Sequence, residues 1–295
     1  MDALYSDRMQ EHLARIEDYL PTCLPRKDGL RDVVVEAMGY ACAAGGKRIR
    51  PVLAMEFCRV CGGRAEEALP FAAAVEMIHS YSLIHDDLPC MDDSPLRRGK
   101  PSVHKAFGED MALLAGDALL NRAFEILLRP TTLPADRQMR AARALADAAG
   151  IDGMVGGQVL DLQSEGTALS LEVLERLQDG KTAALIIAAC QMGVLAAGGA
   201  EERVRSAAIF GREVGLCFQI VDDILDETVT AEHLGKPVGS DAQNKKNTYV
   251  SLLGLEEARA LARERTCKAI AALEDWGDEA DGLRRLAEAL LVRTR

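Results

Sequence analysis

Aromatic side chains are scarce: one Trp, five Tyr and six Phe make up 4% of 295 residues. Sheets draw on aromatic and β-branched residues, whereas the 48% hydrophobic fraction here is rich in Ala and Leu, which suits close-packed helices. All-α is the expected fold class. Positive charge is short as well. The 35 Lys and Arg face 46 Asp and Glu, a formal net charge of −11, which argues against nucleic acid as a partner because phosphate backbones are bound by basic surfaces. No apolar stretch approaches the roughly 20 residues that span a bilayer, and no basic segment leading into an apolar run opens the chain. A soluble, unprocessed protein without stable membrane insertion is expected. The GxxxxGK[ST] spacing of a phosphate-binding loop is absent, which removes GTPase- and kinase-like readings, and no EF-hand loop supports a calcium scaffold. Eight cysteines (23, 42, 58, 61, 90, 190, 217 and 267) are scattered through apolar runs. They fit buried, reduced thiols better than a disulfide framework or a zinc site, and point to a cytoplasmic protein.

Apolar periodicity predicts helices near 5–20, 30–44, 49–60, 66–87, 105–128, 135–149, 170–177, 182–197, 201–226, 249–274 and 279–292, separated by short Gly, Pro and Asp punctuation. No strand alternation competes, and no linker, composition shift or solenoid period divides the chain. One helical domain over 1–295 is the expectation.

Two aspartate clusters stand out. In GLCFQIVDDILDE (215–227), Gln219, Asp222, Asp223 and Asp226 fall at i, i+3, i+4 and i+7, on one face of an otherwise apolar helix. A narrow acidic seam implies a helix buried all round except along that seam. Carboxylates crowded in low dielectric repel and take up protons, so they need cations or bound water. Hard divalent metals supply them, and Mg²⁺ typically uses one or two carboxylates with waters and phosphate oxygens. A solvated helix end with an acidic cap is the plainer alternative. The other cluster, HDDLPCMDD (85–93), weighs against it, because Glu76, His79, Ser82 and Asp86 run as a second seam along an apolar helix. Asp86 and Asp92 would stand about 240° apart on an ideal helix. Pro89 is therefore expected to open the turn and swing Asp92 towards Asp86.

Basic residues follow both clusters, in LRRGKP (96–101) and GKPVGSDAQNKKN (235–247), and GGKRIRP (45–51) adds Lys47 and Arg50 one helical turn apart. Carboxylates for metal ions beside Lys and Arg for direct contact suit a polyanion, and diphosphate is the natural candidate. Arg97 and Arg98 point in different directions on a helix or turn, so they can serve two separate anions. Solvated surface charge is the competing reading for any single basic pair, and is harder to sustain for three such groups together.

Taken in order, GGKRIRP, HDDLPCMDDSPLRRGKPS, LLAGDALL, GGQVLDL, GKTAALI, FQIVDDILD and LGKPVGSD…KKNTYVSLLG resemble the motifs of the trans-isoprenyl diphosphate synthases, the farnesyl and geranylgeranyl diphosphate synthase family. The resemblance spans nearly the whole chain and is nearest to the bacterial farnesyl diphosphate synthases. It implies an all-α homodimer with a deep cavity and Mg²⁺-dependent 1′-4 condensation of isopentenyl diphosphate with dimethylallyl or geranyl diphosphate. Asp86, Asp92 and Asp222 would ligate three Mg²⁺ ions, with Asp87, Asp223 and Asp226 in support. Arg97, Lys181 and Lys236 would grip the allylic diphosphate, and Lys47, Arg50, His79 and Arg98 the isopentenyl diphosphate. Thr182 and Gln219 would sit by the developing cation, with Lys181 and Lys236 completing the catalytic group and Gln158 and Asp161 at the mouth. Outside this pattern His79 reads as a core histidine and Thr182 as a helix cap.

The implied chemistry is ionisation of the allylic C–O bond, attack by the isopentenyl double bond and loss of a proton, with the departed diphosphate as base. Metal ions and basic side chains stabilise the leaving group, and an apolar cavity keeps water from the cation. Two departures from the family pattern carry expectations. Ser94-Pro95 replaces two acids and alters loop stiffness, and Gly180, where the family commonly carries His, gives a flexible approach to Lys181 that weakens allylic binding. Ser82 and Tyr81, four and five residues before Asp86, lie roughly 6–7.5 Å back along the helix, where the family's floor residue stands. Tyr there resembles the makers of farnesyl diphosphate (C15), whereas the extra Pro89-Cys90 is shared with some geranylgeranyl (C20) makers, which keeps C20 as the alternative. A class I terpene cyclase has no need of the second anion site that Lys47, Arg50 and Arg98 supply. A non-catalytic partner subunit tends to lose an aspartate motif, and both are whole here.

Overall fold

The computed structural model describes residues 6–129, 131–228 and 247–293. Helices α1 (Asp7–Tyr19), α2 (Asp32–Cys42), α3 (Ile49–Val60) and α4 (Ala65–Asp86) precede two-residue strands β1 (Leu96–Arg97) and β2 (Lys100–Pro101). Then follow α5 (Val103–Phe107), α6 (Glu109–Leu127), α7 (Ala135–Ala149), α8 (Met154–Gln163), α9 (Leu171–Gln178), α10 (Ala184–Ala197) and α11 (Glu201–Thr228). The last helices are α12 (Tyr249–Leu253), α13 (Leu255–Ala271) and α14 (Asp281–Leu291). The fold is all-α, and its one strand pair among the described residues is the antiparallel hairpin β1–β2.

Helices α4 and α10 are apolar on most sides and run through the middle. Helix α10 packs against α3, α4, α7 and α11, with Ala and Gly at many of its buried positions. The few aromatics concentrate where they fill most space: Phe57 lies edge-on to Phe210 at 5.4 Å and to Trp276 at 5.3 Å. A second, smaller core joins α9, α11, α12 and α13 through Leu174, Ile220, Leu225, Tyr249 and Ala258.

Several elements differ from the sequence expectation. The stretch 105–128 breaks at Gly108 (φ 94°) and 249–274 breaks at Gly254 (φ 85°), both in the left-handed region that an uninterrupted helix excludes. Helix α8 lies outside the sequence expectation, because Gly156 and Gly157 lower its intrinsic propensity. Residues Leu171–Ala197 form a continuous 27-residue helix that is long and apolar enough to cross a membrane, contrary to the expectation that no stretch approaches this. A π-helical turn, Asp179–Ala183, fuses α9 to α10 across the polar residues that separate them in the sequence. Because 67% of its apolar window is buried inside the protein, it occupies the position of a core helix. The eight cysteines are free thiols, and Cys90 and Cys267 are exposed, against the expectation of burial. Cys58 and Cys61 stand in a CxxC spacing at the end of α3, where the Cys58 thiol donates to the Arg64 carbonyl at 3.3 Å.

Candidate active site

The ends of α4 and α11 meet at a cavity of about 840 Å³. On α4 the seam Glu76, His79, Ser82 and Asp86 lines it, as one-face spacing dictates. The helix ends at Asp86, and the turn through Pro89 folds back until the Asp92 N–H donates to the Asp86 carbonyl at 2.9 Å. That closure brings Asp92 into the same cavity wall, a position an unbroken helix could not give it.

On α11, Gln219 and Asp222 reach the cavity, while Asp223 and Asp226 are buried behind it, 3% and 4% exposed. Asp223 accepts from Gln219 Nε2 at 2.9 Å and from the Tyr249 backbone N–H at 2.8 Å, so it orients Gln219 and ties α12 to α11. Asp222 pairs with Arg293 at 2.8 Å. Arg293 also donates to the Phe218 carbonyl at 2.7 Å and stacks 4.0 Å from the Phe218 ring centroid. Sequence reasoning did not single out Arg293; its signal was the basic VRTR end, which nothing local connects to Asp222.

The cavity also carries cations beside the α4 seam. Arg48, also missed, is fully engaged: Nη1 donates to Glu76 at 2.7 Å and Nε to Glu17 at 2.8 Å. Arg50 differs, because its buried Nε has no hydrogen-bond partner among the described residues. Burial pushes its guanidinium down to about 10, with Glu76 opposing and Arg98 adding to the shift. A desolvated cation of this kind is suited to an anion. Burial, then the charges of Arg50 and Arg98, hold His79 well below the usual imidazole range, so it is neutral at pH 7. Lys47 Nζ stands 5.6 Å from the Phe218 ring centroid.

The hairpin places the two adjacent arginines apart. Its two-residue turn, Arg98-Gly99, has φ of 53° and 77°, the positive values a type I′ turn needs. Arg97 Nε contacts both Asp87 oxygens at 3.1 and 3.2 Å. Burial raises the Asp87 carboxyl despite Arg97, which acts to lower it. Arg98 instead donates to the Gly45 carbonyl, and its guanidinium lies so close to Gly46 that a Cβ there would come within 2.6 Å of it. Both arginines line the cavity.

The third side is the π-helical turn. Lys181 Nζ donates to Asp161 Oδ2 at 2.5 Å, and Thr182 Oγ1 bonds Gln178 Oε1 at 2.8 Å and Gln219 Oε1 at 3.3 Å. Lys181, Thr182 and Gln158 line the cavity. Gly180 is not the loose approach expected from the sequence. A Cβ on it would meet the Gly153 carbonyl at 2.8 Å, and one on Gly157 would meet the Lys181 nitrogen at 2.1 Å, so the glycines let α8 pack backbone to backbone on this turn. Tyr81 and Ser82 also stand in the cavity wall. The Tyr81 ring is edge-on to His85 at 5.7 Å and only 7% exposed, and the Ser82 hydroxyl donates to the His79 carbonyl at 3.0 Å. Lys236 lies outside the described residues.

Among the described residues no three acidic, His or Cys side chains form a ready-made metal cage. Asp86, Asp92 and Asp222 nevertheless line one cavity with carboxylate oxygens, the donor type a hard divalent cation requires. Mg²⁺ completes its shell with water and phosphate oxygens, and the unmatched Arg50 Nε offers a second contact for a phosphate. The residues present fit Mg²⁺ shared with a diphosphate.

Residues 31–282 match the Polyprenyl synthetase family. A geranylgeranyl pyrophosphate synthase, chloroplastic, from Capsicum annuum is 47% identical over 264 residues, 88% of this chain and 72% of that protein. A heterodimeric geranylgeranyl pyrophosphate synthase large subunit 1, chloroplastic, from Arabidopsis thaliana is 48% identical over 251 residues, 83% of this chain and 67% of that protein. Among solved structures, an FPP/GFPP synthase from Zymomonas mobilis is 39% identical with a TM-score of 0.86, covering 97% of this chain and 98% of that one. A geranyltransferase from Helicobacter pylori, complexed with magnesium and isoprenyl diphosphate, is 34% identical with a TM-score of 0.85, covering 99% and 97%. The relatives named chloroplastic overturn the expected cytoplasmic placement. Its basis was thiols kept reduced, which suit any reducing compartment. The resemblance implies a homodimer, whereas one relative is named as a heterodimeric subunit.

Proposed function

Because the chain belongs to the polyprenyl synthetase family and is a trans-isoprenyl diphosphate synthase, a prenyltransferase, we propose that it extends allylic diphosphates with isopentenyl diphosphate to geranylgeranyl diphosphate (C20). The observation that carries the elongating reading is one cavity lined by Asp86, Asp92 and Asp222 and by Arg50, whose Nε has no partner among the described residues. The plant relatives, named geranylgeranyl pyrophosphate synthases, favour C20 over the C15 product that Tyr81 suggested in the sequence. A second reading, farnesyl diphosphate, is supported by Tyr81 itself, whose ring stands in the cavity wall five residues before Asp86.

In this reading Asp86, Asp92 and Asp222 hold Mg²⁺, three ions being the family expectation, and when bound the metal offsets the diphosphate charge and eases its departure. Arg97, Lys181 and Lys236 bind the allylic diphosphate. Lys47, Arg50, Arg98 and neutral His79 bind isopentenyl diphosphate. Thr182 Oγ1 and Gln219 Oε1 turn oxygen towards the allylic cation, and Met154, Leu185 and Phe218 exclude water from it. The proton lost after attack passes to the departed diphosphate. The chain works as one helical domain.

The test is incubation with isopentenyl diphosphate, Mg²⁺ and dimethylallyl, geranyl or farnesyl diphosphate, followed by chain-length analysis. A C20 product supports the first reading, a stop at C15 the second, and no elongation from any primer rejects both. Tyr81→Ala lengthens the product if this ring is the floor, and leaves it unchanged if it is not.

A further inference from the structure

The π-helical turn Asp179–Ala183 carries Lys181 and Thr182, and such turns cost regular hydrogen bonding, so something must hold this one. Behind it runs a chain of alternating charge. Asp179 Oδ2 accepts from Arg212 Nη2 at 2.7 Å, and Arg212 Nη1 donates to Glu213 Oε1 at 3.1 Å. Glu213 Oε2 accepts from Arg265 Nη1 at 3.2 Å, and Arg265 Nη2 closes the chain onto Glu175. Glu175 on α9 and Asp179 at the start of the π-helical turn are four residues apart on one continuous helix, one turn, and so share the face that turns towards α11 and α13. Each acid is clamped by an arginine from a different helix, and Glu213 links the two clamps. On the other side, α8 presses Gly157 onto the Lys181 backbone.

We propose that Arg212 is a positioning residue: by holding Asp179 it fixes the π-helical turn, and thereby aims Lys181 at the allylic diphosphate. An isolated pair as exposed as Arg212 and Asp179, with side chains 37% and 30% exposed, contributes little. This one is anchored on Glu213 and Arg265, whose side chains are 7% and 9% exposed, so the clamp cannot relax by swinging into water. Arg suits the place because its planar fork meets Asp179 and Glu213 at once, which a Lys ammonium cannot do with the same geometry. None of these residues lines the cavity, so their effect on substrate passes through the turn.

The inference rests on Lys181 binding the allylic diphosphate, and calorimetric binding with Mg²⁺ tests it without needing turnover. Geranyl diphosphate should bind Arg212→Ala about tenfold more weakly than wild type, the size of coupling expected between residues in one network. Isopentenyl diphosphate affinity should stay within about twofold, because its groups lie on α3 and the segment just before it, on α4 and on the hairpin. Arg212→Lys should fall between. Asp179→Ala should weaken geranyl diphosphate by a similar factor, and Arg212→Ala combined with Asp179→Ala should lose no more than either alone, a non-additivity that general destabilisation would not produce. Unchanged geranyl diphosphate binding overturns the proposal, as does equal weakening of both ligands in step with a lowered Tm. Should Arg212→Ala fail to fold, the Lys variant and Asp179→Ala decide between the same outcomes. Wild-type protein that does not bind geranyl diphosphate refutes the role of Lys181 instead.

Discussion

The two aspartate motifs reach one cavity by opposite means. The first breaks its helix: α4 stops at Asp86, and the Pro89 turn brings Asp92 back until the two residues share a backbone hydrogen bond. The second keeps its helix whole, and periodicity alone aims Asp222 inward while Asp223 and Asp226 stay buried. Their neighbours differ in the same way. Asp87 finds its cation ten residues on, in Arg97 of the adjacent hairpin, whereas Asp222 finds Arg293 from the far end of the chain. A local acid–base pair can be read along a sequence, while a long-range one exists only after folding.

Asymmetry of this kind can be broken in stages. The largest effect should come from Asp86→Asn and Asp222→Asn, each lowering turnover about 10²–10³-fold in a steady-state assay with Mg²⁺. The two should part company in stability. Asp222→Asn strips the counter-charge from the Arg293 guanidinium, whose side chain is 5% exposed, and should cost about 1 kcal/mol by denaturant titration. Next, Pro89→Ala lets the turn drift towards helix and draws Asp92 out of line. Activity should drop about tenfold or more, with a raised Mg²⁺ requirement, while the second motif has no equivalent breaker. Equal activity would show that the backbone closure does not depend on the proline.

Arg293→Ala tests the other motif. It relieves Asp222 of an internal cation, so the Mg²⁺ concentration for half-maximal diphosphate binding should fall by no more than about fivefold, the ceiling for a partly exposed pair. A rise instead would mean that Arg293 assists binding. The smallest effect concerns pH. His79 has its folded pKa depressed by burial and by Arg50 and Arg98, so below about 6.5 the unfolded chain binds a proton that the folded chain resists. Stability should therefore decline as pH falls through 6.5 towards the folded value, and be unaffected by this group above it. His79→Asn should flatten that limb of the denaturation midpoint against pH.

Much of the site was legible because it follows helical period. The Glu76 to Asp86 seam and the inward Asp222 needed only spacing, and the return of Asp92 needed only the chemistry of Pro89. Asp223 shows the limit, for it shares a face with Asp222 yet bonds Gln219 and Tyr249 away from the cavity. Arg48 and Arg50 show it again. Two residues apart and equally basic on paper, one is satisfied by Glu17 and Glu76 and the other has an Nε that no described residue meets. Helix α8 escaped notice because its glycines answer to the backbone of Gly180 and Lys181, across a contact no local pattern encodes. Gly108 and Gly254 were absorbed into apolar periodicity, although their positive φ ends a helix outright.

The six-residue hairpin has a consequence for what the chain tolerates. Pairing of Leu96 with Pro101 and Arg97 with Lys100 leaves only Arg98 and Gly99 to close it. Side chains alternate between the two faces of a strand, so gaining or losing one residue here would flip the ladder. Arg97, the arginine that meets Asp87, would then face the other way. Substitutions elsewhere in this loop can be gradual in effect, but an insertion or deletion is all-or-none, and it would redirect that charge without altering it.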